Sequence, residues 1–216
     1  MLLPRVLIVG ALAVLCTGAA PAPTDPPPVT SFPCDVGDVW TYNFVSNAIT
    51  GKPLNGDETF TQTDCGVRRV LHPSGAFIKP DLISDADGNV YSGYGVFNGL
   101  PEKFNKPLPY GRLPLAPGQS WGSALDADLG GGTGFTGTGH WRAVDWETVT
   151  VPAGTYLALR VELKMDLDFS VQGGDIQGTY QETSWYSPDA RNYVKAVASD
   201  SFGDSTTRVL TAATLK

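Results

Sequence analysis

The sequence predicts an all-β fold, built as a single antiparallel curved sheet or incomplete β-barrel with few helices. Three observations lead to this prediction. The 216 residues include 25 glycines and 17 prolines, which favours short strands joined by turns. One segment alternates apolar and polar residues without a break, as a strand with one buried face does. No window of about 12 residues combines a helical period with helix caps.

The composition limits both the size of the fold and the class of partner. With 42% hydrophobic and 17% charged residues, the chain has enough apolar material to close the core of one domain. The formal net charge is −7, and no run of Lys or Arg offers a stripe that could follow a phosphate backbone. We therefore expect no nucleic-acid partner.

Residues 1–19 have the pattern of an export signal, with Arg5, the apolar run Val6–Leu15 and then small residues. This run is too short for a membrane span, which needs about 20 residues. Two processing routes fit the pattern. Either a signal peptidase cleaves after Ala19, or Leu12–Cys16 acts as a lipobox and Cys16 is acylated. Leu15 departs from the lipobox pattern, which normally has Gly, Ala or Ser there. Both alternatives predict an exported protein that is periplasmic or outer-membrane-attached, alternatively secreted, with membrane association only through Cys16.

The rest of the chain divides into a tether and one domain. Residues 20–33 are Pro-rich and predict a tether, and residues 34–216 are predicted to form the all-β domain. Apart from Cys16, the cysteines are Cys34 and Cys65. An even pair in an oxidising compartment predicts a disulfide, here closing a loop of about 32 residues. A metal or redox pair would need CxxC spacing or nearby histidines, and neither is present.

The alternating segment is Leu159–Val171, and it predicts a long antiparallel strand of ~43 Å with one face buried. Its apolar face would carry Leu159, Val161, Leu163, Met165, Leu167, Phe169 and Val171. Strands of this length usually belong to a strongly curved sheet or a barrel wall. An outer-membrane barrel has alternating strands too, but it would repeat them many times, and no other stretch is as regular.

Short turn motifs predict hairpins around this strand. They are Asn55-Gly56, Asp87-Gly88, Pro152-Ala153-Gly154 and Ser187-Pro188-Asp189. The stretch Asn98–Pro117 contains five prolines, and each proline removes a ladder donor. This stretch is therefore predicted to be a long surface loop or lid.

A series of motifs resembles a group of exported bacterial domains of unknown function. The motifs are Gly37-Asp38-Val39-Trp40, Pro114-Leu115-Ala116-Pro117-Gly118-Gln119-Ser120-Trp121, Val149-Thr150-Val151-Pro152-Ala153-Gly154-Thr155-Tyr156, and Trp185-Tyr186-Ser187-Pro188 followed by Val194-Lys195. Some members of that group are lipoproteins. The resemblance implies an envelope protein with a curved β-sheet, distantly like the LolA and LolB lipid carriers in outline. It implies no catalytic residues.

Candidate catalytic and metal-binding motifs each have a simpler interpretation. Gly132–Gly137 matches GxGxxG, but the following residues are β-like and not helical, so a loop is predicted. Asp85, Asp87 and Asn89 alternate as in a calcium loop, but the glycine and the final Glu are misplaced, so a turn is predicted. His72 and His140 lack a GxSxG partner motif. We therefore predict no catalytic residue, no cofactor and no metal, and no enzyme activity.

Two functions remain. The first is an exported envelope protein that binds an apolar or lipid-like ligand in a β-sheet concavity, with Asn98–Pro117 as a possible cover. The ligand-facing residues would be Trp40, Trp121, Leu163, Met165 and Trp185. The alternative is a structural or interaction component of the cell envelope with a solidly packed core, in which the same aromatic side chains fill the interior.

Overall fold

The computed structural model of the chain describes residues 26–47, 53–75, 80–93, 102–171 and 174–216. The predicted signal, residues 1–19 with Cys16, lies outside the described residues. The described residues form strands, turns and irregular segments, without a helix. Over those ranges, then, no helix is long and apolar enough to cross a membrane.

Twelve antiparallel strands form a closed barrel. They are β1 (Val39–Asn47), β2 (Pro53–Cys65), β3 (Arg69–Gly75), β4 (Leu82–Ser84), β5 (Asn89–Gly93), β6 (Glu102–Pro109), β7 (Ser120–Gly130), β8 (Thr133–Val151), β9 (Gly154–Val171), β10 (Gly174–Ser187), β11 (Asn192–Asp200) and β12 (Ser205–Thr214). Each strand pairs with its neighbour in sequence, and β12 returns to pair with β1.

The all-β prediction is confirmed, but the barrel is closed and not incomplete. Closure comes from the β1–β12 ladder, which runs from Val39 opposite Thr214 to Asn47 opposite Ser205. The side chains of β12 are mostly half-buried, so this strand lacks the clean apolar alternation that marks β9. The strand that joins the two edges of the sheet, β12, therefore could hardly be predicted from the sequence.

The long predicted strand is confirmed and lies within β9. Its odd-numbered residues face the interior, where Met165 is 2% exposed, and its even-numbered residues, such as Lys164 and Asp166, are exposed. A continuous ladder to β10 and a ladder to β8, whose register shifts between Ala143 and Trp146, hold β9 on both sides. This strand places an apolar face inside the barrel wall and an ionic face outside.

The predicted loop Asn98–Pro117 is wrong for half of its described part, because Glu102–Pro109 forms β6. β6 pairs with β5 as far as Asn89 opposite Pro109, but with β7 only at Lys103 and Phe104. Pro107 and Pro109 of β6 therefore lie beyond its ladder with β7, so their missing N–H groups break no hydrogen bond to β7. Residues 110–117 do form a connection between β6 and β7, and residues 98–101 lie outside the described residues.

Three of the four predicted hairpin turns are confirmed. Asp87-Gly88 lies between β4 and β5, and Pro152-Ala153 lies between β8 and β9. The run Ser187-Pro188-Asp189 begins at the last residue of β10 and leads to β11. Asn55-Gly56 is inside β2, where Asn55 is opposite Val45 of β1. The connection between β1 and β2 comes earlier in the chain, outside the described residues.

The interior of the barrel is unevenly filled. The larger hydrophobic cluster packs along β6 to β10 and includes a stacked pair, Trp121 and Trp141, with ring centroids 6.2 Å apart. A smaller cluster around Trp40, Phe60 and Leu210 packs near β1, β2 and β12. Between these clusters the barrel contains a cavity.

Candidate ligand-binding cavity

The cavity has a volume of about 230 Å³ and is lined by residues of β1 to β6 and of β10 to β12. At about 30 Å³ for each water molecule in the liquid, this is the space of about eight waters. Apolar side chains on its wall include Trp40, Phe60, Leu71, Leu82, Val90 and Leu108. A concave site that is mostly apolar, with a few polar groups, is typical of small-molecule binding.

Tyrosines form much of the remaining wall and hold one another in place. Tyr193 packs edge-on against Tyr186, with ring centroids 5.7 Å apart, and against Tyr110 at 6.1 Å. The hydroxyl of Tyr42 donates to the Tyr193 carbonyl at 2.8 Å, and the indole N–H of Trp40 donates to the Ala190 carbonyl at 2.7 Å. These contacts fix an aromatic wall before any ligand arrives.

A buried carboxylate lies among these tyrosines. Glu182 is 9% exposed, and it accepts hydrogen bonds from the hydroxyls of Tyr110 and Tyr180. Burial, and then the charge of Glu182, raise the pKa of Tyr110 and of Tyr193 far above the ordinary value. Both phenols therefore stay neutral across the physiological pH range.

The cavity lining contains more cationic than acidic residues, although the chain as a whole carries −7. The cations are Arg69, Arg191, Lys195 and Arg208, and the acids are Asp85 and Glu182. The position and partners of each cation decide whether it could meet a negatively charged ligand.

Three of the four cationic residues already have partners. Arg208 pairs with Glu58 at 3.3 Å, Arg191 pairs with Asp38 at 3.1 Å, and Lys195 lies over the Trp185 ring at 4.9 Å. Arg69 differs from them. Its Nη1 donates to the carbonyl of Phe32 at 2.6 Å, and within the described part of the chain it has no carboxylate partner.

The segment before β1 packs onto the barrel and reaches the cavity. Val29 forms a two-way backbone bridge with Leu115, each N–H donating at 2.8 Å. The Phe32 ring lines the cavity and packs edge-on against Tyr186, with centroids 5.3 Å apart. Residues 26–33 of the predicted tether thus contact the barrel. The predicted boundaries at residues 19 and 33 stay predictions.

The Cys34–Cys65 disulfide is present and ties this segment to the end of β2. Because Cys34 follows Phe32 by two residues, the bridge limits how far Phe32 can move from the cavity. The disulfide therefore positions part of the candidate site as well as stabilising the fold.

Replacing Gly111 by Ala is expected to push Phe32 out of its position. A Cβ at Gly111 would lie 2.5 Å from the Phe32 ring, too close for any real contact. We expect a loss of about 1–3 kcal/mol in the free energy of unfolding, measured by urea denaturation, and faster proteolysis within residues 26–33. Gly66→Ala is the control, because its Cβ would meet only the Asp64 side chain, at 3.2 Å. Equal stability of the two variants would contradict this role of Phe32.

Of the five residues predicted to face a ligand, the structure places only Trp40 on the cavity. Trp121, Leu163 and Met165 face the interior but belong to the packed cluster. Trp185 lies on the outer side of β10, where its indole N–H donates to Glu147 at 2.9 Å. Alternation indicates which residues face inward, but it does not show where the interior is left unfilled.

Sequence reasoning missed four residues that give the cavity its character: Arg69, Tyr110, Glu182 and Tyr193. Glu182 could have been found, because it lies in phase with Tyr180, Ser184 and Tyr186 on the buried face of β10. An acid on an apolar face is a signal of a special environment. Tyr110 offered no such signal, since it follows a segment predicted to be irregular.

The acidic turn and the two histidines singled out in the sequence have local contacts or exposed positions, although Asp85 also lines the cavity. Burial acts to raise the pKa of Asp85, but hydrogen bonds from Asn89, Tyr91 and the Asp87 amide outweigh it and lower the pKa. The Asp85 carboxylate thus accepts several hydrogen bonds from its own turn, and the turn is as predicted. His72 contacts the exposed Asp81 at 2.8 Å, and His140 is exposed on β8. In the described ranges, no three His, Cys, Asp or Glu side chains are grouped as metal ligands.

Tyr186→Phe is expected to leave stability at neutral pH unchanged or slightly higher, because the buried Tyr186 hydroxyl has no hydrogen-bond partner in the described part of the chain. Burial raises the pKa of Tyr186 to about 12 from an ordinary 10.0, against a smaller lowering by Arg69. The unfolded chain therefore releases this proton first, and wild-type stability falls as the pH rises from about 10 toward 12. Urea unfolding at pH 8, 10 and 11 should show a weaker fall for the variant, and identical slopes would contradict the assignment.

Comparison with known proteins identifies the fold only. No protein-family model matches the chain, and no curated protein matches it. A candidate lipoprotein from Parabacteroides distasonis is similar, with a TM-score of 0.50 and 13% identity over 86% of this chain and 99% of that chain. A candidate exported protein with a YmcC-like fold from Bacteroides fragilis has a TM-score of 0.44 and 15% identity, covering 87% and 100%. The hypothetical lipoprotein YmcC from Escherichia coli has a TM-score of 0.43 and 9% identity, covering 82% and 86%. The similarity to the Parabacteroides distasonis structure shows a shared fold. The other two similarities are too weak to establish one.

Proposed function

We propose that this protein is an exported envelope component that binds an apolar or lipid-like small molecule inside its barrel, without catalysing a reaction on it. The observation that carries the proposal is the cavity of about 230 Å³, which is lined mainly by aromatic and aliphatic side chains. A solidly packed barrel of this size would bury those side chains against one another. Here Trp40, Phe60 and Leu108 belong to the two hydrophobic clusters and also border free space.

The location is part of the same proposal. The export pattern at residues 1–19 and the disulfide between Cys34 and Cys65 support an oxidising compartment outside the cytosol. The similar structure from Parabacteroides distasonis is described as a candidate lipoprotein, which supports attachment through an acylated Cys16. Incorporation of radiolabelled palmitate that is lost in Cys16→Ala would establish the anchor, and unchanged incorporation would exclude it.

A structural role in the envelope is the second candidate, and the tight packing along β6 to β10 favours it. In that case contacts would be made by the outer face of β9, where Arg160 pairs with Glu147 at 3.0 Å. The two candidates differ in what they expect of the cavity. A structural component would tolerate filling it, whereas a binding protein would lose its ligand.

Leu71→Trp tests this difference, because Leu71 lies on β3 and lines the cavity. We expect wild-type protein purified from an envelope fraction to carry a lipid in native mass spectrometry, and the variant to carry at least about tenfold less. Val197→Trp is the matched control, because Val197 is exposed on β11. An apo mass for wild type, together with no uptake of a fluorescent fatty acid, would contradict ligand binding.

A further inference from the structure

Two cavity residues keep a buried hydrogen-bond donor that has no acceptor. Within the described ranges, the Nε of Arg69 and the hydroxyl of Tyr186 have no partner, and both residues line the cavity. Tyr186 is 2% exposed, so water in the bulk cannot supply the missing bond. Folded proteins leave few such groups, and each one indicates strain or an absent partner.

The two donors belong to one local group, because Phe32 contacts both side chains. Its carbonyl accepts from Nη1 of Arg69 at 2.6 Å, and its ring packs against Tyr186 with centroids 5.3 Å apart. An oxygen acceptor thus already reaches the Arg69 guanidinium in this part of the cavity. A second oxygen acceptor beside it would accept hydrogen bonds from the Nε of Arg69 and the hydroxyl of Tyr186, which have no acceptor among the described residues.

Charge indicates what kind of acceptor fits. Arg191, Lys195 and Arg208 have partners in the protein, whereas Arg69 has only a neutral carbonyl among the described residues. The acids that line the cavity, Asp85 and Glu182, hold hydrogen bonds from their own neighbours. The group that Arg69 lacks is therefore an anion, and a guanidinium binds carboxylate and phosphate oxygens best.

We propose that the ligand is a single-chain amphiphile whose acidic head, a carboxylate or a phosphate monoester, binds Arg69 and Tyr186 while its alkyl chain lies along the apolar wall. This inference rests on the proposed function. The wall beyond the head group is formed by Leu71, Leu82, Val90, Phe104 and Leu108. A volume of about 230 Å³ is below the range of about 300–1,000 Å³ of most drug-sized pockets, which favours one chain over a two-chain lipid.

Calorimetric titration with three probes of equal chain length tests the head group. The probes are octanoate, octyl phosphate and octan-1-ol, which lacks the charge. We expect wild-type protein to bind at least one of the two acids at least about tenfold more tightly than the alcohol. The tighter of the two acids identifies the source, a free fatty acid or a phosphate-headed lipid.

Two variants assign the preference to the named residues. Arg69→Gln should remove most of the preference for the acid and leave the affinity for octan-1-ol within about twofold, which also shows that the variant is folded. Tyr186→Phe removes a hydroxyl that has no partner among the described residues, so it should fold normally and lose a smaller part of the preference. Arg142→Gln makes the same change as Arg69→Gln at an exposed position of β8 and should bind all three probes as wild type does.

The possible failures are distinguishable. If wild type binds the alcohol as tightly as both acids, or if Arg69→Gln keeps the full preference for the acid, the acidic head at Arg69 is overturned and the apolar cavity stands. If none of the three probes binds, this inference and the proposed function both fail.

Discussion

Replacing Cys34 by Ser should lower the free energy of unfolding by about 3–4 kcal/mol under oxidising conditions. The bridge joins residues that are 31 positions apart, so its loss frees a long loop in the unfolded chain. Urea denaturation followed by tryptophan fluorescence measures the change. Since the effect comes from the bond and not from the Cys34 side chain, adding reductant should bring wild type down to the stability of the variant.

The double variant Cys34→Ser/Cys65→Ser is the matched control for the disulfide. It removes both thiols and should match reduced wild type, because among the described residues the bridge is the main contact of both sulfur atoms. The bond also fixes the chain next to Phe32, so protease cleavage within residues 26–33 should become faster in both variants. Equal midpoints for oxidised wild type and Cys34→Ser would contradict a stabilising bridge.

The parts of the fold that the sequence predicted are those that depend on local pattern. In β9, strict alternation gave the strand and its buried face, and positive-φ glycines such as Gly88 and Gly154 fit turns at the ends of paired strands. Closure of the barrel depends instead on β1 and β12, which are far apart in sequence, and β12 has too few fully buried side chains to show its register. Such a pairing leaves almost no local signal.

For a related reason, the sequence does not show which inward-facing residues line the cavity. Trp121 and Trp40 both face inward with similar local patterns, yet one stacks on Trp141 in the packed cluster and the other lines the cavity. The difference depends on which strands lie across the barrel, and a linear sequence does not show this. Arg69 was missed because it is a single cation in a short strand, and its lack of a partner appears only once Phe32 and Tyr186 lie beside it.

The motif Gly37-Asp38-Val39-Trp40 has a structural explanation in the contacts of Asp38. Gly37 has a φ of 95°, a conformation that glycine adopts without strain. The turn places the Asp38 carboxylate in the interior at 0% exposure, where it accepts from the Lys216 amide at 2.7 Å and from Arg191 at 3.1 Å. The start of β1 is thereby joined to the chain before β11 and to the residues after β12.

Asp38→Asn should therefore lower the free energy of unfolding by about 3 kcal/mol, as expected when one member of a buried ion pair is removed. The value is at the lower end of the usual range because the Arg191 side chain is 26% exposed and keeps part of its hydration. Asp35→Asn is the matched control: Asp35 also contacts Arg191, but its side chain is 54% exposed, so we expect a loss under about 1 kcal/mol. Equal losses in the free energy of unfolding for the two variants would mean that burial of Asp38 does not strengthen its ion pair with Arg191.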